Sequence, residues 1–177
     1  PAPRTISGVT AADRTYDGTA AVTLKGGTLN GVLGTDSVGF ALGSGTAAGK
    51  DVGTQAVAAA ITLTGEAAQN YTLTQPTDVT VNILRADAKT LADQNVTQKC
   101  AVTAPQSRSV AGLMPADAGA LTYAKGTAGT TGSVRVSSWN VAGDGTVTYT
   151  LSGGKAGDTV TLPVTISSVN YADSVVH

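Results

Sequence analysis

The sequence predicts an all-β protein on three observations. Ala and Val carry most of the apolar content, Thr is abundant, and the 177 residues include 22 Gly, whereas Leu, Ile and Phe are comparatively scarce. Thr and Val are β-branched and favour strands, while Gly favours turns. Short alternating or β-branched runs recur along the chain. No window of about 11 residues holds a convincing helical period of apolar residues.

Strands are predicted in two series, in which Gly, Asp or Asn bounds each run. The first series lies near Thr5–Val9, Ala20–Leu24, Ser37–Leu42, Gln55–Leu63, Tyr71–Thr74 and Thr77–Leu84. The second lies near Lys99–Pro105, Ser133–Ser138, Thr146–Leu151, Asp158–Ser167 and Ser174–Val176. Weak helical signals occur only at Gly65–Asn70 and Ala86–Asp93. Turn signals about every 8–12 residues are typical of sandwich-like domains.

A domain boundary is predicted at Leu84–Lys89, where the β-branched run "DVTVNI" gives way to the polar stretch "RADAKTLADQN". The two predicted domains span residues 1–85 and 86–177. An Asn-Tyr pair precedes the closing strand of each half, Asn70-Tyr71 and Asn170-Tyr171. Asn tolerates turn conformations, and Tyr buries its ring while its hydroxyl finds a partner. We therefore expect two tandem immunoglobulin-like β-sandwiches, the first being either a plain sandwich or a β-grasp-like variant with a short helix at Gly65–Asn70.

The charge of the chain argues against nucleic acid as a partner. The net charge is −1 and the 11 Lys and Arg are scattered, whereas nucleic-acid binding needs a basic stripe. No apolar run approaches the roughly 20 residues of a membrane-spanning helix, so direct membrane insertion is not expected. Both ends look cut from a longer polypeptide, and the terminal His177 is set aside as the start of a tag. The single cysteine, Cys100, cannot form an internal disulfide and leaves the compartment open.

Little material for catalysis is present. With one terminal His and one Cys, neither a nucleophilic triad nor a zinc site can be assembled. Six aspartates in Gly-rich loops raise the alternative of calcium, but they do not follow the alternating-oxygen loop pattern: Asp13, Asp17, Asp36, Asp51, Asp144 and Asp158. No enzyme and no cofactor are expected. A deep pocket holding two or more aspartates would favour an enzyme instead.

The stretch "RTYDGTAAVTL" places Tyr16-Asp17-Gly18-Thr19 directly before a strand-like run. Gly18 accepts a positive φ and Asp17 can bond its own backbone two residues on, so we expect a structural turn here. The alternative, an acid or a metal ligand at Asp17, lacks a His or Glu companion nearby.

Trp139 and Tyr123 are the candidate ligand-binding residues. As a sugar-stacking platform, Trp139 would need to be exposed beside polar residues. As a core anchor of the second domain, Trp139 would need neither exposure nor polar neighbours. The scarcity of large side chains in the sequence favours this second interpretation.

Several separated motifs of the first half resemble the YDG domain, a repeat module of large bacterial surface proteins that include filamentous-haemagglutinin-like adhesins. They run in the family's order from Thr5 to Ile83: "RTYDGTAAVTL", "LNGVLGTDSVGF", "AGKDVGTQAV" and "ITLTGEAAQNYTLTQPTDVTVNI". Arg14 and Ala20 stand where the family's commonest version has Lys and Thr. The second half, in "AGDGTVTYTLSGGKAGDTVTLPVTISSVNYADSVV", is similar to modules that follow such repeats in surface proteins of gut Firmicutes.

The resemblance implies an exported, extracellular protein of the bacterial cell surface, built from tandem domains of one polypeptide. It implies a non-catalytic stalk, spacer or adhesive module, and carries over no catalytic residue. The alternative function is binding of a carbohydrate or host glycoprotein by end loops. Surface stalks also contain Lys–Asn isopeptide bonds, for which Lys25 or Lys50 with Asn70 and Glu66, or Lys99 with Asn170, are the candidates. Solvent-exposed lysines are the favoured alternative.

Overall fold

The computed structural model describes residues 1–99 and 103–177 of the chain. The described residues form an all-β structure whose only helical segment is one 3-10 turn, Ala68–Asn70. The chain divides into two compact units, Pro1–Arg85 and Ala86–His177. Cys100 lies outside the described residues, as does the middle of the predicted strand Lys99–Pro105.

The first unit contains nine strands. They are β1 (Ala2–Ala11), β2 (Arg14–Thr15), β3 (Ala21–Asn30), β4 (Gly39–Ala41), β5 (Ser44–Ala47), β6 (Gly53–Ala59), β7 (Thr62–Thr64), β8 (Tyr71–Thr74) and β9 (Thr80–Leu84). Seven of them form one sheet in the order β2-β9-β6-β5-β3-β1-β8, and β4 pairs with β7 separately. Because β2 follows β1 after only two residues yet pairs near the opposite end of the sheet, the sheet must curl back on itself.

The core of the first unit is aliphatic with two tyrosines at its margin. Alternation along β9 buries Val81 and Ile83, each 1% exposed, and leaves Thr80 and Leu84 in solvent. Val57 on β6 and Leu24 on β3 complete the interior. Gly45 on β5 is buried between these last two side chains, and a Cβ there would lie 2.9 Å from each of them. A glycine at this position therefore permits the close packing of β3, β5 and β6.

The described residues of the second unit form eight strands. They are β10 (Gln106–Ser109), β11 (Leu121–Lys125), β12 (Gly129–Thr130), β13 (Arg135–Val141), β14 (Thr146–Ser152), β15 (Val160–Thr161), β16 (Val164–Ser168) and β17 (Ser174–Val176). Two three-stranded sheets, β10-β14-β13 and β11-β16-β17, accompany the short pair β12-β15. Among the most buried residues, Val164, Ile166, Ser174 and Val176 lie on β16 and β17, while Ala118 and Asn170 lie outside the strands.

Two strand predictions, Tyr71–Thr74 and Ser174–Val176, are confirmed to the residue. The predicted strand Asp158–Ser167 is divided into β15 and β16 at Pro163, which has no backbone N–H to contribute to a ladder. The weak helical signal at Ala86–Asp93 is wrong: this segment is non-helical, and Ala86 forms a parallel bridge with Tyr171. The single helical turn suggested at Gly65–Asn70 is confirmed as the 3-10 turn Ala68–Asn70.

Candidate functional site

The Tyr16-Asp17-Gly18-Thr19 segment forms a turn that is closed by the Asp17 carboxylate. Asp17 Oδ1 accepts hydrogen bonds from the Thr19 backbone N–H and from the Thr19 hydroxyl, both at 2.8 Å. Gly18 has φ +80°, a conformation that side chains with a Cβ rarely adopt. The Arg14 guanidinium donates to Asp17 Oδ1 at 2.5 Å and also to the Thr19 carbonyl. The Asp17 carboxylate thus links Arg14, before the turn, to Thr19, at its end.

These donors keep the Asp17 carboxylate ionised. Its pKa lies below the usual value of 3.8, first because of the Thr19 backbone N–H, then the Thr19 hydroxyl, with Arg14 adding further stabilisation of the anion. A carboxylate whose pKa is lowered is a poor proton donor at neutral pH, so the arrangement is unsuited to general-acid catalysis. Asp17 is exposed, and the geometry around it is that of a turn-closing acceptor.

Sequence reasoning missed that the same turn occurs in the second unit. Asp144-Gly145-Thr146 repeats the Asp-Gly-Thr tripeptide, and Asp144 Oδ1 accepts the Thr146 N–H at 2.8 Å. Gly145 also has φ +80°, and the pKa of Asp144 is lowered, chiefly by the Thr146 N–H. A Cβ at Gly145 would lie 2.9 Å from Cζ of Tyr123, so the ring of this candidate ligand-binding tyrosine packs against the turn. The Asp-Gly-Thr tripeptide, which occurs in both halves of the sequence, was the signal that could have predicted the second turn.

The Asn-Tyr pair of the first unit fastens a loop to the end of the sheet. The Tyr71 hydroxyl donates to Asp36 Oδ2 at 2.5 Å and accepts the Leu33 backbone N–H at 3.2 Å. The Arg4 guanidinium lies over the Tyr71 ring, 4.5 Å from its centroid. Asn70 is exposed at the end of the 3-10 turn, where its N–H donates to the Ala67 carbonyl.

The second unit repeats this arrangement with different partners. The Tyr171 hydroxyl lies 3.2 Å from both carboxylate oxygens of Asp117, and Lys89 Nζ lies 4.2 Å from the Tyr171 ring centroid. The buried Asn170 side chain donates to the Asp117 carbonyl at 2.8 Å. In both units a tyrosine therefore joins a loop aspartate on one side to a cation on the other, which we call the tyrosine latch.

The six loop aspartates considered as calcium ligands all accept hydrogen bonds from protein donors. No group of three or more His, Cys, Asp or Glu suited to a metal ion occurs among residues 1–99 and 103–177. Asp158 is the most heavily engaged, since its Oδ2 accepts from the backbone N–H groups of Ser133, Val134 and Lys155 and from the Ser133 hydroxyl. The remaining donors are Asn82 N–H to Asp13, Thr19 to Asp17, Tyr71 to Asp36, Lys50 to Asp51 and Thr146 to Asp144.

Trp139 is half-buried on β13, at the edge of its sheet, and lies opposite Tyr149 on β14. It does not anchor the core as expected, because the most buried positions of this unit are filled by smaller side chains on β16 and β17. A shallow depression of about 250 Å³ adjoins Trp139 and Tyr149, and it is also lined by the residues next to them on the two strands: Ser138, Asn140, Thr148 and Thr150. Lys125 Nζ lies 5.7 Å from the indole ring centroid.

A larger cavity of about 880 Å³ that is partly open to solvent lies in the second unit. Its walls include Val110, Val147, Leu151 and Val164, and both Gln98 and Tyr149 reach it. Among its described lining residues the acids are Asp93 and Asp158. Both have a lowered pKa, Asp93 because His177 donates to it and Asp158 chiefly because of the Lys155 N–H. A cavity with two aspartates meets the criterion set above for an enzyme, but general-acid chemistry requires a raised pKa, which neither shows.

The lysines considered for isopeptide bonds, Lys25, Lys50 and Lys99, are all exposed. Lys50 Nζ donates to the Tyr16 hydroxyl and to Asp51, each at 3.3 Å, and the Tyr16 contact is the main reason that the Lys50 pKa is raised. Among the candidate acceptors, Asn70 is exposed and Asn170 is engaged with the Asp117 loop.

Replacing Asp17 by Asn tests the turn through pH. Because the pKa of Asp17 is lowered on folding, its contribution is fully present above about pH 4 and is lost as the pH falls through the lower, folded value. We expect Asp17→Asn to reduce the acid-side decline in the stability of the first unit, measured by urea unfolding from pH 2 to 6. Asp144→Asn is the matched control, since it changes the equivalent turn of the other unit. An unchanged acid-side slope in Asp17→Asn would contradict this account of the turn.

Replacing Tyr71 by Phe tests the latch. The variant keeps the ring but removes the bond to a charged acceptor and strands the Leu33 N–H, so the free energy of unfolding should fall by about 1.5 kcal/mol. Tyr123→Phe is the control, because the Tyr123 hydroxyl has no hydrogen bond to a described residue; its effect should stay within about 0.5 kcal/mol. Equal effects of the two substitutions in urea titrations would show that the latch adds nothing.

The comparisons with known proteins bear on the first unit. Residues 1–79 match the family model of the YDG domain, which confirms that part of the predicted resemblance. No significant match was found among curated proteins or solved structures. No helix within the described ranges is long and apolar enough to cross a membrane. The YDG match thus covers the Asp17 turn and the Tyr71 latch.

Proposed function

We propose that this chain is a non-catalytic structural and adhesive segment of a large bacterial surface protein, serving as a stalk or spacer outside the cell. In this proposal its two units are tandem sandwich-like modules, the first a YDG domain and the second a diverged immunoglobulin-like module. Its partners are then neighbouring domains of the same polypeptide.

The observation that carries the proposal is the recurrence of the same two devices in both units. Each unit has an Asp-Gly-Thr turn closed by its own aspartate and a tyrosine latch that holds a loop. A module that carries load needs side chains whose hydrogen-bond donors and acceptors stabilise the fold. The acids so used are not placed as a reactive pair, and the pKa shifts keep Asp17, Asp144 and Asp158 charged.

Surface location is tested by labelling intact cells of the organism that encodes the chain. A membrane-impermeant amine reagent should modify the parent protein, because exposed lysines such as Lys25 and Lys50 would face the medium. A cytoplasmic protein of the same cells serves as the control and should stay unmodified until lysis. Labelling of the parent protein only after lysis would sink the proposal.

A second candidate function, carbohydrate binding, is favoured by the depression around Trp139. The indole is partly exposed, and the depression beside it is also lined by the polar residues Ser138, Asn140 and Thr148. Sugars present the same combination of apolar faces and hydroxyls. This site lies on the sheet face of β13 and β14 rather than in the end loops considered from the sequence.

Glycan-array binding tests this candidate. Trp139→Ala should weaken binding of any glycan hit by about 30-fold, as expected when a Trp that contributes about 2 kcal/mol is removed. Trp139→Phe should retain part of the affinity because it keeps a ring at the same position. Tyr16→Phe, in the other unit, is the control. Absence of hits, or hits indifferent to Trp139→Ala, would eliminate the depression as a sugar site.

A further inference from the structure

The first and last segments of the second unit run side by side in the same direction. Ala86 donates to the Asn170 carbonyl at 2.9 Å and accepts from the Ala172 N–H at 2.8 Å, forming a parallel bridge around Tyr171. Further along, the Lys89 N–H donates to the Ser174 hydroxyl at 2.9 Å. Residues further along one segment contact residues further along the other, as parallel pairing requires.

Contacts between the two segments continue to the end of the unit in a shifted register. The Gln94 N–H donates to the His177 carbonyl at 2.7 Å, and the His177 N–H donates to Asp93 Oδ1 at 3.1 Å. Lys89 also covers the ring of Tyr171. Three backbone donors, from residues 86, 89 and 172, therefore join the entry segment to the exit segment without the terminal His177, whose main chain takes part in two further bonds.

The first unit has an equivalent arrangement. Its entry strand β1 continues into β2, which pairs in parallel with the exit strand β9 at Arg14–Ile83 and Thr15–Leu84. The Tyr16 N–H donates to the Leu84 carbonyl at 2.8 Å, and the Asn82 N–H donates to Asp13 Oδ1 at 2.9 Å. In both units a segment near the start of the unit is thus bonded in parallel to the segment through which the chain leaves; in the first unit the former is β2, which follows β1.

Parallel terminal segments respond to tension in a particular way. When the two ends of such a unit are pulled apart, the segments must slide past one another, so all the bonds between them are loaded at once. Segments pulled from the same end instead separate one bond at a time. Forced unfolding is governed by the unfolding rate, so bonds that must break together before the unit opens have a large influence on it.

We propose that each unit bears tension along the chain and that the entry–exit pairing, here called the terminal clamp, is the part that resists it. The Ala86–Gln94 and Asn170–His177 segments form the terminal clamp of the second unit. This inference deepens the proposed stalk function and rests on it for its biological use. The mechanical property itself can be measured on the purified chain.

The direct test compares two pulling directions on the second unit of the full chain, with Cys100 replaced by serine. A handle at Arg85→Cys and another at the C-terminus load the clamp in sliding mode. A handle at Asn95→Cys and the same C-terminal handle peel it from the Gln94 end. We expect a clearly higher unfolding force in the first direction, and equal forces in the two directions would overturn the proposal.

Two matched substitutions separate the clamp from general stability. Ser174→Ala removes the hydroxyl that accepts the Lys89 N–H at 2.9 Å, and Thr131→Val removes a hydroxyl that accepts the Thr159 N–H at the same distance, outside the clamp. Ser174→Ala should lower the force in sliding mode while Thr131→Val leaves it unchanged, even where both shift urea midpoints alike. A force drop that merely follows the urea midpoint in both variants would contradict the clamp. A result that contradicts the clamp would not affect the stalk proposal, because the surface-labelling experiment tests that proposal separately.

Discussion

The structure depends on hydrogen bonds from backbone N–H groups to aspartate carboxylates at the ends of strands. A chain with only 13% charged residues uses its acids sparingly, and those that close turns accept several donors at once. Asp158 shows this most clearly, because one oxygen gathers the N–H groups of Ser133, Val134 and Lys155. A hydrogen bond to a charged acceptor is stronger than a neutral one, so a few such acids can fix loops that a small aliphatic core would leave loose.

The hydrogen bonds to these carboxylates also affect their acid–base chemistry. Donors that lower the pKa of an acid remove it from the range useful for proton transfer near neutral pH. The hydrogen bonds that stabilise the turns therefore also make their aspartates poorly suited to proton transfer near neutral pH. The first tyrosine latch is a further contact to a loop aspartate, since the Tyr71 hydroxyl is bonded to Asp36 and its ring is covered by Arg4.

The all-β class, several strands and the Asp17 turn could be predicted because their signals are local: residue type, alternation and an Asp-Gly step. The two-residue strands β2 and β12 are too short to produce alternation, and Pro163 interrupts a run that otherwise has strand character. The Ala86–Asp93 segment has a weak helical pattern of its own, but its conformation is decided by a strand at the far end of the unit. The partners of Tyr71 and Tyr171 were unpredictable for the same reason, because each lies in a distant loop.

The position of the terminal segments has a consequence for how each unit acquires its structure. Ala86 and Tyr171 stand near the two ends of the second unit, so their pairing closes a loop that contains almost all of it. Long-range pairings of this kind carry a large entropy cost and slow folding. A growing chain lacks its last strand and cannot complete the pairing. Each unit therefore finishes folding only after its final residues have been synthesised.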